Sequence, residues 1–584
     1  MTIPLGDTSD VGDIDDDEEE LLLNTRLSVT ANSATDRAEV SEEAENSEES
    51  DSDPTQNEAE FVVSSKSDFR WRRKKPPHEN TDYNGVEFQA PDRLMSAYEY
   101  FLRFVDQELI DHVTFQSNLY SVQQTGRSCN VTTQEISTYF GILLRMGIVR
   151  LPQYRMYWGK ECRIPGIADS MTVNRFDQVK RFLHFMNNEE LLRPGDDGYD
   201  RLQKVRPLLT SFLEKCRGIE QEECQSIDEQ IIPTKSRSSL RQYLPKKPHK
   251  WGYKVWARCG VTGILYDFEI YCGKNGRQDG RVESVILRLS ENLPRQVNHK
   301  LFFDNYFSTM SIIQKLHAEG VLCLGTVRNN RLMGADRAMK SRQQLESEGR
   351  GSFDYSTDAN SGVCVVRWID NGMVQLLSSY IGPEEDERKI TRWSTKEKKK
   401  IEIKVPKMVT QYNLHMGGVD LCDMLMSLYR IPLRSTKWYM PILYYVLNAA
   451  VVNSWLLYRR DYALLHEPEG KQSSLLQFQS EISEALILSN KVITPRRNGP
   501  GRPPLSSSPF NQAASPLAKR QRSLCVQSSD VRFDNTSHWP VFVEKQQRCA
   551  NCPKGYTYIK CSKCQRHLCM QKCRNCFTDY HASA

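Results

Sequence analysis

The sequence predicts an α/β protein built from several units, and three observations carry that reading. Short apolar runs rich in β-branched and aromatic residues, "CQSIDEQIIPT", "HKWGYKVWARCGVTGILYDFEIYCG" and "NHKLFFDNYFS", alternate with stretches whose apolar residues recur every three or four positions. Strands alternating with helices indicate a sheet with helices packed on it. At 584 residues the chain exceeds what one core supports, and the usual ~150 residues per domain gives roughly three or four units. Charge and cysteine content also change abruptly along its length.

The formal charge of +4 hides a strong asymmetry. Residues 1–60 carry 20 Asp and Glu against two Arg, a balance of −18 that leaves +22 on the remainder. An acidic, Ser-rich stretch with few aromatics is expected to stay disordered, and the basic remainder suits a polyanionic partner. No run approaches ~18 consecutive apolar residues without polar interruption, and the first twenty residues lack a basic and then apolar leader. A soluble, intracellular protein without a membrane partner is therefore expected.

The elements follow in order. Residues 1–90 read as the disordered acidic tail followed by a basic linker, "KSDFRWRRKKPP", which suits a nuclear localisation signal or a solvated tether. Residues 91–223 read as a helical domain, as in "YFGILLRMGIVRLPQYRMYW" and "RFDQVKRFLHFMNNEELL". Residues 224–326 hold the β-rich segments, ending in "STMSIIQKLHAEG", a helix with Ser308 or Thr309 as N-cap and Gly320 as its stop. Residues 327–408 read as a β-rich insertion. Helical periodicity returns over 409–490. There "WYMPILYYVLNAAVVNSWLLY" is long enough for a membrane span, but Asn448, Asn453 and its tyrosines argue for a buried core helix. Residues 491–544 form a Pro, Ser and Arg rich linker expected to be disordered, and 545–584 a cysteine-rich module.

Candidate chemistry begins with four acids. Asp228 in "SIDEQ" and Asp304 in "LFFDNYF" each sit at the end of an expected strand, and Asp420 and Asp423 lie three apart at the start of an expected helix, on one face. Sites in open α/β sheets gather outside strand ends. A carboxylate at a buried strand tip is costly unless a cation meets it, and magnesium or manganese takes carboxylate oxygens readily. A single such Asp is ordinarily a turn or cap residue; the neighbourhood is what argues otherwise. In "RQYLPKKPHKWGYKVW", Arg241, Lys246, Lys247, His249, Lys250 and Lys254 interleave with Tyr243, Trp251 and Tyr253, a pattern suited to a phosphate backbone with unstacked bases nearby.

At these residues the sequence resembles the piggyBac family of DNA transposases. "GILLRMGIVRLPQYRMYW", "DRLQKVRPLL", "IDEQ", "RQYLPKKPHKWGYKVW", "LFFDNYFST" and "MGGVDLCDMLMSLYR" appear in the family's order, covering roughly Asp92 to Tyr458 and resuming at the cysteine cluster. The resemblance implies an RNase H-like catalytic core interrupted by a β-rich insertion and preceded by a helical DNA-binding and dimerisation domain. It also implies that Asp228, Asp304 and Asp420 are the catalytic acids, with Asp423 accessory. Such enzymes excise an element bounded by terminal inverted repeats through hairpin ends and insert it at TTAA. Trp438 in "RSTKWYMP" looks like the family's tryptophan near the hairpin end, or else a core aromatic. Two Mg²⁺ or Mn²⁺ would activate water or a DNA 3′-OH and stabilise the leaving oxygen, with no covalent protein nucleophile.

Seven of the 17 cysteines fall in the last 36 residues, and the other ten are scattered from Cys129 to Cys525, a distribution that favours reduced thiols and one metal module. Cys549, Cys552, Cys561, Cys564, Cys569, Cys573, Cys576 and His581 supply eight ligands, enough for two tetrahedral Zn²⁺ in an interleaved cross-brace. The expected whole is a nuclear transposase or a domesticated descendant, acting as a homodimer on double-stranded DNA at element ends and TTAA targets. The rival is a catalytically silent DNA-binding protein with chromatin partners for its acidic tail; a ubiquitin-ligase-type cross-brace module is disfavoured by the body it accompanies.

Overall fold

The computed structural model describes residues 66–76, 80–245, 247, 249–273, 282–385, 390–394, 398–465, 472–489, 538–552, 555–571 and 574–582. The acidic tail and most of the Pro-rich linker therefore lie outside the described residues. The chain divides into two compact units, one within Met1–Leu109, Leu143–Tyr154 and Leu191–Ser483, the other within Ile110–Ile142, Arg155–Glu190 and Glu484–Ala584.

The first unit is organised by one mixed sheet of ten strands. In chain order these are β1 (Trp71–Arg72), β2 (Cys224–Pro233), β3 (Arg241–Tyr243), β4 (Trp251–Gly260), β5 (Leu265–Ile270), β6 (Lys300–Phe303), β7 (Leu322–Thr326), β8 (Phe353–Asp358), β9 (Cys364–Ile369) and β10 (Met373–Ser378). They lie in the order β1-β8-β9-β10-β7-β6-β2-β4-β3, with β5 also on β4. The centre is parallel: β2 pairs β6 with Ile227 opposite Phe303, and β6 pairs β7 with Phe303 opposite Gly325. All other pairings in the sheet are antiparallel.

The apolar run of β6 explains its central place. Leu301 and Phe303 point to one face, into a cluster with Val285, Ile286, Ile313 and Leu316, while Phe302 points to the other, among Leu324, Val366, Leu376 and Met408. A strand covered on both faces needs no polar alternation, and each such aromatic contributes roughly 1.5–3 kcal/mol relative to exposure. The helix after β6, Met310–Ala318, starts at Thr309, whose hydroxyl accepts from the Ile312 amide, and is followed by Gly320 at φ +76°. The 327–408 stretch contributes β8, β9 and β10, which extend the same sheet outward from β7, with Leu376 opposite Thr326. Its remaining hairpin, β11 (Ile390–Ser394) with β12 (Lys399–Ile403), is separate.

Helices of the first unit pack on this sheet. The helices α1 (Ala97–Leu102) and α2 (Gln107–Thr125) open the helical stretch, which continues through α3 (Thr133–Ile148), α4 (Val173–Phe182) and α5 (Arg206–Arg217). After the sheet come α6 (Lys407–His415), α7 (Gly418–Leu428), α8 (Met440–Leu464) and α9 (Leu475–Leu488). The helix α8 has the length and hydropathy of a membrane span, yet 89% of its most apolar window is buried within the protein. Its polar residues are satisfied internally: Asn453 bonds the Leu265 amide and carbonyl at 2.9 Å each, and Asp461 accepts from Tyr100 at 2.8 Å. That satisfaction is what a core helix requires.

In the second unit Arg175 of α4 makes a two-pronged ion pair with Glu135, both contacts at 2.7 Å, and also bonds the Cys129 and Asn130 carbonyls. The Tyr139 and Trp158 rings pack at a tilt against Phe176, the residue after Arg175. The C-terminal segment of this unit is a small module of β13 (Pro540–Arg548), β14 (Tyr556–Cys561), two short strands and the helix α10 (Cys576–Ala582).

Candidate active site and metal centres

Three elements bring the acids to one place. Asp228 follows Ile227 and Asp304 follows Phe303, the two residues that face each other in the parallel β2–β6 pair, so the acids are neighbours where β6 ends. The chain turns at once after β6: the Asp304 carboxylate accepts from the Tyr306 amide at 2.8 Å, and its carbonyl from the Ser308 hydroxyl. Asp420 lies in the first turn of α7 and Asp423 one turn on.

The helix α7 is held tightly against β2. The Val419 amide donates to Ser226 Oγ at 3.2 Å, and Gln230 reaches the Val419 carbonyl while accepting from the Tyr445 hydroxyl at 2.9 Å. Ser226, Asp228 and Gln230 alternate along the strand and so share the face on which α7 lies. The contact requires a residue without a side chain, because a Cβ on Gly418 would stand 2.3 Å from the Gly260 carbonyl oxygen.

The electrostatics register this convergence. The Asp228 carboxyl is raised to about 6, by burial first and then by the charges of Asp304 and Asp420, against the Glu229 amide and Lys247, which lower it. Burial likewise raises Asp423, opposed by Lys247 and Arg430. Tyr412 on α6 is pushed up to about 12, first by burial and then by Asp304, Asp228 and Asp420 together, against a hydrogen bond from Thr326. The Tyr412 phenol is thus near enough to feel the charge of all three acids. Among the described residues the three carboxylates do not form a group with all ligand atoms within 4.8 Å. A divalent cation held by Asp228, Asp304 and Asp420 would offset their like charges. The donor set, carboxylates only, fits such an ion.

The basic and aromatic residues from β3 to β4 divide by position. Lys247 reaches back to donate to the Glu229 carbonyl at 2.8 Å, and Lys254 pairs with the Glu229 carboxylate at 2.9 Å beneath the Tyr306 ring. His249 contacts Arg430 at 3.1 Å and senses Asp423. Arg241 lies over the Trp251 ring at 4.5 Å, and Trp251 meets Tyr243 across the strands, both rings half exposed. Lys250 is exposed, and Lys246 lies outside the described residues. Trp438, expected either near a DNA end or in the core, is 8% exposed, lies edge-on to Tyr439, and its carbonyl accepts from Tyr253 at 2.8 Å. The core aromatic is the role this burial supports.

The C-terminal module holds two clusters of four ligand atoms, each within 4.8 Å: Cys549, Cys552, Cys569 and Cys576 in one, and His538, Cys561, Cys564 and His581 in the other. Cys552 and Cys569 sulfurs are 3.7 Å apart, and His538 Nδ1 is 3.4 Å from each of Cys561 and Cys564. Tetrahedral zinc with bonds of about 2.3 Å to sulfur and 2.0–2.1 Å to nitrogen gives edges of about 3.8 and 3.6 Å, so the spacing fits. Amides support the sulfurs, from Cys569 to Cys549 and from Cys564 to Cys561, and the Phe577 carbonyl binds His581 Nδ1, leaving Nε2 to face the cluster. Burial raises the Cys549 thiol, but the amides of Cys569, Asn551 and Cys552 outweigh it and bring it down to about 7.

Comparison with known proteins follows the same lines. A family model described as Transposase IS4 matches residues 96–455. Human PiggyBac transposable element-derived protein 3 is 31% identical over 492 residues, 82% of this chain and 75% of that protein. The chain belongs to the piggyBac family of transposases and transposase-derived proteins. Human PiggyBac transposable element-derived protein 2 is 29% identical over 465 residues, covering 77% of this chain and 71% of that protein. The fold matches a piggyBac transposase solved as a synaptic complex with hairpin DNA, at a TM-score of 0.57 and 20% identity, over 83% of this chain and 98% of that one.

For this family member, one candidate ligand is not marked by the sequence pattern. His538 stands eleven residues before the first cysteine, at the edge of a linker-like stretch, with nothing local to mark it except "SHWP". His538 joins Cys561, Cys564 and His581, Cys576 joins the first cluster, and the expected ligand Cys573 lies outside the described residues. The interleaving of the two clusters persists. His567 belongs to neither: its backbone carbonyl accepts from the Ala550 amide.

Proposed function

We propose that this protein is a metal-dependent DNA-cutting and DNA-joining enzyme of the transposase type, acting at the ends of an element and at TTAA targets, with an RNase H-like core. The observation that carries the reading is the convergence of Asp228, Asp304 and Asp420 from β2, β6 and α7 beside a face of lysine, arginine and exposed aromatics. Asp228, Asp304 and Asp420 would hold two Mg²⁺ or Mn²⁺, with Asp423 supporting them; such ions activate an attacking oxygen and stabilise a leaving one. The chain's own residues do the rest. Lys254 and Lys247 fix Glu229 and so the strand carrying Asp228, Gly418 lets α7 close on that strand, and Arg241, Trp251 and Tyr243 offer charge and ring faces to a strand being cut. The two Cys/His clusters would hold Zn²⁺ and shape the C-terminal module for DNA. On this reading the protein acts on chromosomal DNA in the nucleus, as a homodimer that handles two ends.

The test is strand cleavage of a TTAA-flanked terminal-repeat end with magnesium, comparing the protein with Asp304→Ala. Loss of cleavage by 10³-fold or more in the variant supports the role, and equal cleavage refutes it. The second reading, a domesticated protein that binds such DNA without cutting it, is favoured by one observation: the human relatives carry names that describe them as transposable element-derived. Tight end binding with no metal-dependent cleavage by the unmodified protein would establish it.

A further inference from the structure

The basic run "FRWRRKK" is built into the sheet. Its backbone forms β1 on the edge of β8, Trp71 opposite Asp358 and Arg72 opposite Thr357. The Arg70 amide donates to the Asp358 carboxylate at 2.7 Å, the Arg70 carbonyl accepts from the Ala359 amide at 2.9 Å, and Asn360 donates to the Asp68 carbonyl at 2.8 Å. Residues alternate in role. Phe69 is buried in the main core, Trp71 stacks on it and donates to the Met333 carbonyl at 2.9 Å, and Arg73 pairs at 2.8 Å with Asp354, itself only 2% exposed. Arg70, Arg72 and Lys74 are exposed, and among the described residues none of the three enters an ion pair. Two residues of extended strand span about 6.7 Å, so Arg70 and Arg72 are held at a fixed spacing.

A solvated tether or a transport signal requires none of this anchoring. A tether gains nothing from burying Phe69, and a receptor that reads an extended basic segment needs the backbone that β8 already occupies. Fixing the strand has a use if the outward cations act as a rigid row, because the entropy of ordering long basic side chains and backbone is then met during folding and not on binding. We infer that β1 is a phosphate-backbone contact site, with Arg70, Arg72 and Lys74 as its cations and a nucleic-acid phosphodiester chain as its ligand. The site rests on the DNA-directed reading above but lies on the opposite end of the sheet order from β2–β4, and it needs no catalysis.

Two variants test it, with random-sequence duplex DNA as the probe and binding measured across salt concentrations. Arg70→Gln/Arg72→Gln/Lys74→Gln keeps β1 docked and is expected to flatten the slope of log affinity against log salt by about 2.7, at roughly 0.9 per phosphate contact. Phe69→Ser/Trp71→Ser keeps every charge but releases the strand, read as new tryptic cleavage after Arg72, and is expected to weaken binding on the order of tenfold through the ordering cost. If the triple variant weakens binding and the released variant does not, the run is a flexible tether and the fixed site is refuted. No change in either variant refutes any contact. Increased capture of the released variant by a nuclear import receptor, with unchanged DNA affinity, would make the segment a masked signal. Because the readout is sequence-independent binding, the site survives failed cleavage at element ends, and its own failure leaves that activity untouched.

Discussion

The carboxylate site and the C-terminal Cys/His module both gather ligands from distant stretches of chain, but different forces hold them in place. In the sheet, hydrophobic burial does the positioning: Phe302 and Phe303 are fully buried on opposite faces, and the strand they fix delivers Asp304 to its neighbour Asp228. The acids there are a cost that the core carries. In the C-terminal module the buried residues are largely the ligands, with Leu568 and Phe577 as the main apolar additions. So small a core cannot fold a segment by itself, and metal binding is folding energy. One site would exist without its ions; the other would not.

The largest expected effect follows from that difference. Removing zinc, or substituting Cys561→Ser, should unfold 538–582, because structural zinc supplies about 10 kcal/mol or more to such modules. Hydrogen exchange should show that segment losing protection while β6 and β7 keep theirs; retained protection in metal-free buffer would erase the contrast. Next comes Gly418→Ala, which drives a Cβ into the Gly260 carbonyl. A cost of about 2–3 kcal/mol is expected from such overpacking, read as a lower melting temperature of the sheet-bearing unit, with cleavage lost through the displacement of α7. A melting temperature unchanged from the unmodified protein would mean that α7 has room to spare.

A smaller effect has the opposite sign. The folded-state value for Asp228 is raised to about 6 from the ordinary 3.8, so the native protein binds this proton more tightly than the unfolded chain does. Its contribution is fully present below about pH 4 and is lost as pH rises through 6. Metal-free Asp228→Asn should therefore be more stable than the unmodified protein above pH 6, by at most about 3 kcal/mol before solvent screening of the partly exposed carboxyl reduces it, and the advantage should vanish near pH 4. Thermal melts across that range, with a chelator present, decide it. The smallest effect serves as a control: Arg342 and Glu346 form an exposed helix pair at 2.7 Å, and Arg342→Ala should move stability by less than about 0.5 kcal/mol.

The legible parts of this molecule are local. The run Leu301–Phe303 announced a doubly buried strand, Thr309 and Gly320 bracketed the helix that follows, and the apolar length of α8 with its two asparagines marked a core helix. The spacing of Asp420 and Asp423 placed both on one helix. What sequence could not show was pairing between distant segments. Nothing in "GVCVVRWIDNGMVQLLSSYI" tells that β9 and β10 extend the sheet from β7, and nothing near Trp71 names Asp358 as its partner 287 positions on. His538 escaped for the same reason, since a histidine becomes a ligand only when folding carries it to Cys561 and Cys564. Trp438 illustrates the converse: a tryptophan in a basic stretch reads equally as a DNA contact or as core, and folding leaves it 8% exposed.

The central claim is that Asp228, Asp304 and Asp420 act as one cation-binding unit. Titrating Mn²⁺ into zinc-loaded protein at pH 7.5, followed by electron paramagnetic resonance, tests it without any DNA substrate. The unmodified protein should bind Mn²⁺ with saturation, and Asp228→Ala, Asp304→Ala and Asp420→Ala should each weaken binding at least tenfold, about 1.4 kcal/mol, with the double variants losing less than the product of the singles. Equal Mn²⁺ binding by the protein and all three variants would contradict the account.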